Sequence, residues 1–493
     1  MNNQPAIRSV AIVGAGLVGW TAAATLASAL KAQGVKVLVV DDPVEEPGPA
    51  IEVGRFGMRR MHDIIGLDER HLLATTHGAF TLGVEWTGCR GETFIHPFGD
   101  HGISPNPIRF EQGFIKRRRA DQSEAFSDYF LAAQAAKAGK FAFLDPNPRS
   151  ILSTLNPGMH LNTERYRQYL QAFAQRLGVE YLTASIDTIV MGSHGFIERL
   201  ALSDGSSVAV DFYIDCTGAH SRLLGKALKV PFQSWSQWLP SKRIATLKRP
   251  AASAPMPLTR CRAHPWGWHR VAQAQFATGH EWVYDPGRIN LEQLLDRLGD
   301  GPSADTHQVA DVAINAGRRE VFWQNNCLAL GMAGGCVDPI ALSNLHWAHS
   351  ALILFLDCWP DRDCLPCVRQ EFNRLCGETL ERLRDFQQVH AILLQPNESQ
   401  AQVPESLSRR LELFRHRGRL LPYENDVVPA GAWEALLLSA GILPEQYEPG
   451  VDIVPEHELV SQHRKIKQAI QRALEKMPSH AQVLASYCPP LRN

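Results

Sequence analysis

The stretch "VAIVGAGLVGWTAAATLA", from Val10 to Ala27, limits what this chain can fold into more than any other segment. An apolar run enters G-x-G-x-x-G, and small residues continue beyond it at helical spacing. Ser9 to Val13 reads as a buried strand, Gly14, Gly16 and Gly19 permit a tight turn with close backbone approach, and Thr21 to Leu30 continues as a helix. A second apolar strand, Val37 to Val40, ends in Asp41, about 22 residues beyond Gly19. A carboxylate at that point suits a ribose hydroxyl, and a pyrophosphate suits the helix N-terminus. Gly14, Ala15, Gly16, Leu17, Val18, Gly19 and Asp41 are therefore expected to hold an adenine dinucleotide.

With 493 residues the chain has room for two or three domains, or for one large α/β core with an appended piece. The net charge of -1 gives no electrostatic footprint for nucleic acid, and the one tight basic cluster, Lys116 to Arg119, reads as a solvated loop. No apolar run approaches the length of a membrane span, and the opening "MNNQPAIRSV" lacks the apolar core of a signal peptide, so a soluble cytoplasmic protein is expected. Ten scattered cysteines read as reduced thiols. Cys364-x-x-Cys367, with Cys376 beyond it, lacks a second ligand pair at zinc spacing, so no metal site is expected.

Further along, Pro43 to Arg60 is rich in Pro, Glu and Gly and reads as a loop over the cofactor. Alternation predicts strands over Phe80 to Trp86 and Thr93 to His96, the second leading into "HPFG". Pro105 to Phe114 and the helix-like Ser123 to Ala136 look like an insertion. "LNTERYRQYLQAFAQRLGVEYL" is an amphipathic helix, stopped by Gly178, that feeds a strand. From Ile186 the pattern is a hairpin ribbon with an Asp204-Gly205 turn, returning through an apolar strand to Asp215-Cys216-Thr217-Gly218. A β-ribbon placed before a strand that re-enters the cofactor domain resembles the flavoprotein hydroxylase architecture, which points to FAD rather than NAD. "CLALGMAGGCVDPI", Cys327 to Ile340, is a third strand entering a glycine turn, and a long helix follows through Trp347 to Cys358. Gly218, Gly331, Asp338 and Pro339 join the expected FAD contacts. A helical pattern begins near Cys364, breaks at Pro396 to Pro404, and resumes to the end. The expected division is an α/β, Rossmann-type FAD-binding domain over 1–385, with substrate segments interleaved at about 80–135 and 230–310 as an inserted β-sheet region. A mainly helical region over 386–493 is expected to cover the substrate site.

The segments "GAGLVGWTAA", "FIHPFG", "MHLNTERYRQYL", "DFYIDCTGAHSRLL", "QSWSQWLP" and "GRREVFWQNNCLALGMAGGCVDPI" together resemble the flavin-dependent tryptophan halogenase family, in its order, over roughly residues 8 to 375. The resemblance implies a two-component reaction. A separate flavin reductase supplies reduced FAD, O2 forms a C4a-hydroperoxide, and chloride or bromide attacks its distal oxygen to give hypohalous acid for a small electron-rich aromatic substrate. A homodimer is a further expectation.

Measured against that family the chain departs at four places. "AFTLGVEW" places Thr81 where the family has a lysine, and a hydroxyl can form no haloamine. "DPIALSN" keeps an acid at Asp338 but places Ala341 where the family has a glutamate, with Ser343 retaining part of the halide turn. "HPWGWHRVAQAQ" keeps Trp266 and Trp268 of the W-x-W-x-I-P motif but has no Ile-Pro, with Arg270 or a neighbour in its place; "IEVGRF" also puts Arg55 where an acid is usual. Four readings follow. The first is a monooxygenase that delivers oxygen directly to an aromatic or indole-like ring. Another is a halogenase with a displaced catalytic set, for which His346 and His96 are candidates beside Thr81 and Ser343, packing or capping being the alternative role of each histidine. A non-catalytic FAD-binding accessory protein and an oxidase or dehydrogenase complete the set. His96, Pro97, Phe98, Trp266 and Trp268 are the expected substrate contacts, although tryptophan is also a common core residue.

Overall fold

The structure is a computed structural model that describes residues 6–41, 48–55, 57–102, 109–120, 124–297, 309–395 and 402–489. Strand β1 (Ser9–Val13) leads into helix α1 (Leu17–Ala29), and β2 (Lys36–Asp41) pairs parallel to β1, as the fingerprint predicts. Phe212–Asp215 lies parallel on the other side of β1, and Cys327–Ala329 lies beyond it. With Glu180–Thr183 outside β2 and an antiparallel edge at Trp323–Gln324, these strands form a six-stranded sheet. Three separated apolar segments thus bring three small-residue turns to one end of a parallel sheet, where open α/β folds bind ligands. The helix Thr163–Arg176 packs on α1; Asn162 caps it through the Arg165 amide, and Gly178 follows at φ 94°. The ribbon is three-stranded, Ile186–Met191, Ile197–Leu202 and Ser207–Val208, with Gly205 at φ 84° in its turn.

Three expectations need correction. Pro43 to Arg60 is not one loop: residues 42–47 and 56 lie outside the described residues, but β3 (Ile51–Gly54) pairs antiparallel with Gly158–Asn162, and α2 (Met58–Ile65) follows. The alternation over Phe80 to Trp86 is two strands, not one. Ala79–Thr81 joins the small sheet beside Gly158–Asn162, whereas Gly83–Thr87 joins a seven-stranded sheet. Between them the Leu82 amide turns aside to the Pro257 carbonyl. The Lys116 to Arg119 cluster is helical, within Phe110–Ala120, and tied to other elements: Lys116 to Asp452 at 2.8 Å and Arg117 to Glu124 at 3.4 Å.

The expected insertion is a helix from Phe110, a short turn at Phe126–Tyr129 and a helix over Leu131–Lys137; residues 103–108 and 121–123 lie outside the described residues. In the seven-stranded sheet Gly83–Thr87 pairs parallel with Thr259–His264, joining residues far apart in sequence. The helix over Asn344–Asp357 and the long helix Pro366–Leu394 follow the third glycine turn, and the expected boundary after residue 385 falls inside the latter. Of the polar break at Pro396 to Pro404, residues 396–401 lie outside the described residues; helices Glu405–Arg417, Ala430–Ser439 and Glu456–Lys476 follow. Among the described residues no helix is long and apolar enough to cross a membrane.

Candidate functional site

At the end of the parallel sheet the three turns surround a cavity of about 410 Å³. Gly14 sits at φ 109°, and a Cβ there would fall 2.3 Å from the Cys216 carbonyl oxygen. A Cβ on Gly19 would fall 1.9 Å from the Gly14 carbonyl, so both glycines are required for α1 to meet the sheet this closely. Gly16 faces open space and lines the cavity with Leu17, Val18, Gly218 and Gly331. No side chain caps α1, which leaves its first amides for a ligand anion. Buried Asp215 fixes the Gly218 turn: its carboxylate accepts from the Thr217 amide (3.1 Å) and hydroxyl (2.6 Å) and from the Leu223 and Leu224 amides (2.8 and 2.9 Å). Asp41 stands at the end of β2 as expected, outside the cavity lining, and accepts a hydrogen bond from the Tyr181 hydroxyl at 2.7 Å. A glycine-lined cradle at a helix N-terminus, with buried polar atoms facing the same space, fits FAD.

Across the cavity stand Glu52 and Glu281, which sequence patterning did not single out, and Arg270, which it marked only as a departure from the family motif. Strand alternation sends Glu52 of β3 into the lining, and Glu281 arrives from Ala277–Tyr284. Arg270 lies directly opposite Glu281 in the antiparallel register; its Nη2 donates to the Glu281 carboxylate at 2.8 Å and its Nη1 to the Pro339 carbonyl at 2.7 Å. Burial pushes the Glu52 carboxyl upward, while the Ser343 hydroxyl and Arg270 pull it back. Pro339 and Ser343 line this cavity, but Asp338 does not.

A second group gathers around Arg55, just past β3. Its Nη1 donates to the Ala341 carbonyl at 2.8 Å, its Nη2 lies 3.5 Å from His96 Nδ1, and its guanidinium covers the Phe98 ring at 4.3 Å. Burial, with Arg270 nearby, lowers the guanidinium to about 9. Thr81 is on the same side: a Cβ on Gly158 would lie 3.1 Å from Thr81 Cγ2 and 3.2 Å from Phe98 Cε2. The Thr81 hydroxyl donates to the Gly83 carbonyl at 3.1 Å. His96 is fully buried, and burial with the Arg55 charge holds it well below the usual histidine range. Pro97 ends the strand Thr93–Pro97 opposite Gly83. Arg55 thus joins His96, Phe98 and the Ala341 backbone, and Thr81 lies near them on the far side of Gly158 beside Phe98.

Trp266 and Trp268 belong elsewhere. They line a second cavity, about 190 Å³, with Asp338, Ile340 and Gln387. Trp266 stacks on His264 at 4.3 Å, and Trp268 meets Trp86 edge-on at 5.9 Å. Burial raises the Asp338 carboxyl to about 7. Gln387, on Pro366–Leu394, pins the turn between the cavities: its Oε1 accepts from the Ala341 amide at 2.9 Å, and its Nε2 donates to the Asp338 and Leu342 carbonyls. His346 lies behind this turn, where a Cβ on Gly57 would be 3.8 Å from its ring.

The chain matches the family model described as tryptophan halogenase over residues 9–456. Among solved structures it is similar to BrvH, a flavin-dependent halogenase from Brevundimonas sp. BAL3, at 28% identity and TM-score 0.92, covering 98% of this chain and 99% of that one. It is also similar to Xcc4156, a flavin-dependent halogenase from Xanthomonas campestris, at 27% identity and TM-score 0.92, covering 99% and 100%. Tryptophan 6-halogenase SttH of Streptomyces toxytricini is 22% identical over 515 residues, 97% of this chain and 98% of the relative. With the fold agreeing over almost its full length and the glycine cradle in place, this chain belongs to the tryptophan halogenase family of flavin-dependent enzymes.

Proposed function

We propose that this chain uses reduced FAD and O2 to place oxygen directly on a small aromatic, indole-like ring. The observation that carries the reading is the chemistry at positions 81 and 341. Where the family resemblance expects an ammonium and a carboxylate, the chain has Thr81, whose hydroxyl is engaged by the Gly83 carbonyl, and Ala341, whose methyl group can accept no ring proton. Bound reduced FAD, delivered by a separate flavin reductase, supplies the two electrons that activate O2. The protein's own part is to hold the pyrophosphate at Gly16, Gly218 and Gly331, to exclude water, and to present a ring among His96, Phe98 and their neighbours. Gln387 holds the Asp338 to Leu342 turn that separates the two regions. Residues 386–493 are assigned to the cover of the substrate region.

A second reading, halogenation with a displaced cation, is favoured by Arg55 itself, a buried guanidinium 2.8 Å from the Ala341 carbonyl. A guanidinium can hydrogen-bond a hypohalous acid without capturing it, so Arg55 and neutral His96 would be its working pair, with Ser343 at the halide turn. Stopped-flow absorbance separates the two. When anaerobically reduced, FAD-loaded protein is mixed with oxygenated buffer, oxygen transfer predicts flavin reoxidation unaffected by bromide, whereas reoxidation accelerated by bromide selects halogenation.

A further inference from the structure

Two carboxylates face the FAD cavity, each with an oxygen that no protein group satisfies. Glu52 is 1% exposed and Glu281 is 4% exposed; Oε1 of each is buried without a hydrogen-bond partner, and both residues line the cavity. One cation serves the pair, and it is unevenly shared. Arg270 spends Nη2 on Glu281 and Nη1 on the Pro339 carbonyl, leaving Glu52 the Ser343 hydroxyl and the more distant field of the guanidinium. Tyr166 faces Glu52 from the helix Thr163–Arg176; Lys248, Glu164 and Arg167 stand on the same cavity wall; Arg55 lies near Arg270. Like charges that share one cation in a buried space do not both ionise cheaply, and the carboxylate without the guanidinium takes the proton. Filling the cavity removes the remaining water from Glu52 and strengthens that preference.

We propose that Glu52 is the proton-carrying group of the FAD site: protonated when FAD fills the cavity, and the source of the proton that the reaction consumes. Its use in turnover rests on the oxygen-transfer reading above. On that reading ring C–H, O2, the reduced flavin anion and one proton give ring C–OH, water and oxidised flavin. Two electrons pass from flavin to O2. One oxygen atom enters the ring C–H bond, and the other leaves as water with one hydrogen from the flavin and one proton from Glu52, which solvent then replaces.

Linkage makes the proton visible without turnover. A carboxyl whose protonation is favoured by the ligand takes up a proton on binding, so FAD affinity falls as pH rises from the free-protein value through the bound-state value, and then levels. For the full-length protein titrated with oxidised FAD, we expect Kd to weaken by up to about tenfold per pH unit within that window. Glu52→Gln should remove this dependence. Calorimetry of the unmodified protein over the same pH range, in buffers of different ionisation enthalpy, reads the proton uptake directly and serves even if the variant folds poorly. An affinity with no proton uptake across the range, or an equal pH dependence in Glu52→Gln, overturns the proposal. Neither result bears on where oxygen or halide is delivered, so the oxygen-transfer reading stands or falls separately.

Discussion

Arg270 and Glu281 form an ion pair whose side chains are only 4% and 5% exposed, and such a pair stabilises a fold less than its loss destabilises it. Arg270→Ala strands Glu281 next to Glu52, and a loss of about 3–5 kcal/mol in urea unfolding is expected. Arg270→Met with Glu281→Leu, which removes both charges and keeps volume, should recover most of that loss. Asp338 makes a prediction of opposite character. Its folded-state value, raised to about 7 by burial, lies above the ordinary carboxyl value, so the folded protein binds the extra proton and stability falls as pH rises between the two. Asp338→Asn should therefore raise Tm relative to the parent at pH 8, with the advantage shrinking towards pH 5; an advantage independent of pH would contradict the assignment. Neither role could be read in the sequence. Arg270 appears there as a departure from W-x-W-x-I-P and Glu52 as part of a polar loop, because a charge in a strand-length pattern gives no sign of being buried.

At the scale of elements, β1, α1 and β2 were legible because three constraints agree there: apolar runs of strand length, glycines at fixed offsets, and an acid closing the second strand. The two outer motif glycines and the middle one do different things, and substitutions should separate them. Gly19→Ala puts a Cβ 1.9 Å from the Gly14 carbonyl, pushing α1 off the sheet, and should lower both Tm and FAD affinity. Gly16→Ala meets nothing within 4 Å in the protein but protrudes into the cavity, so FAD fluorescence titration should weaken while Tm in the absence of FAD stays within about 1 kcal/mol equivalent of the parent. β3 was not legible. A four-residue strand in a Pro-, Glu- and Gly-rich context carries too little alternation, and its pairing with Gly158–Asn162 is set by tertiary packing. That short strand connects the two regions of the site, since it carries Glu52 to the FAD cavity and ends beside Arg55.

For the whole molecule, buried histidines dominate how stability depends on pH on the acid side. Burial lowers His62, His160, His264, His463 and His480 to about 4, and His269 and His390 to about 3. These groups are neutral in the fold but protonate at about 6.5 when unfolded, so stability is lost as pH falls from about 6.5 towards 4. The Asp338 carboxyl acts in the opposite sense over the same range, with stability falling as pH rises towards 7, and the seven histidines outweigh it. Thermal unfolding followed across pH should show a steep decline of Tm below about 6.5; a flat profile between pH 6.5 and 4.5 would mean these imidazoles are accessible to water. The family and its cofactor were legible at this scale because the glycine turns occur in a fixed order. The cluster at Arg55 was not, because His96, Phe98 and Ala341 come from segments separated from it in sequence, and their meeting at one guanidinium depends on β3 pairing with Gly158–Asn162 in the small sheet.

The most direct test of oxygen transfer is a single turnover of reduced, FAD-loaded protein with indole, 18O2 and excess bromide, read by mass spectrometry of the aromatic product. Oxygen transfer predicts a product that gains one 18O atom, in an amount unchanged when bromide is omitted. A brominated product without 18O would contradict it and select halogenation.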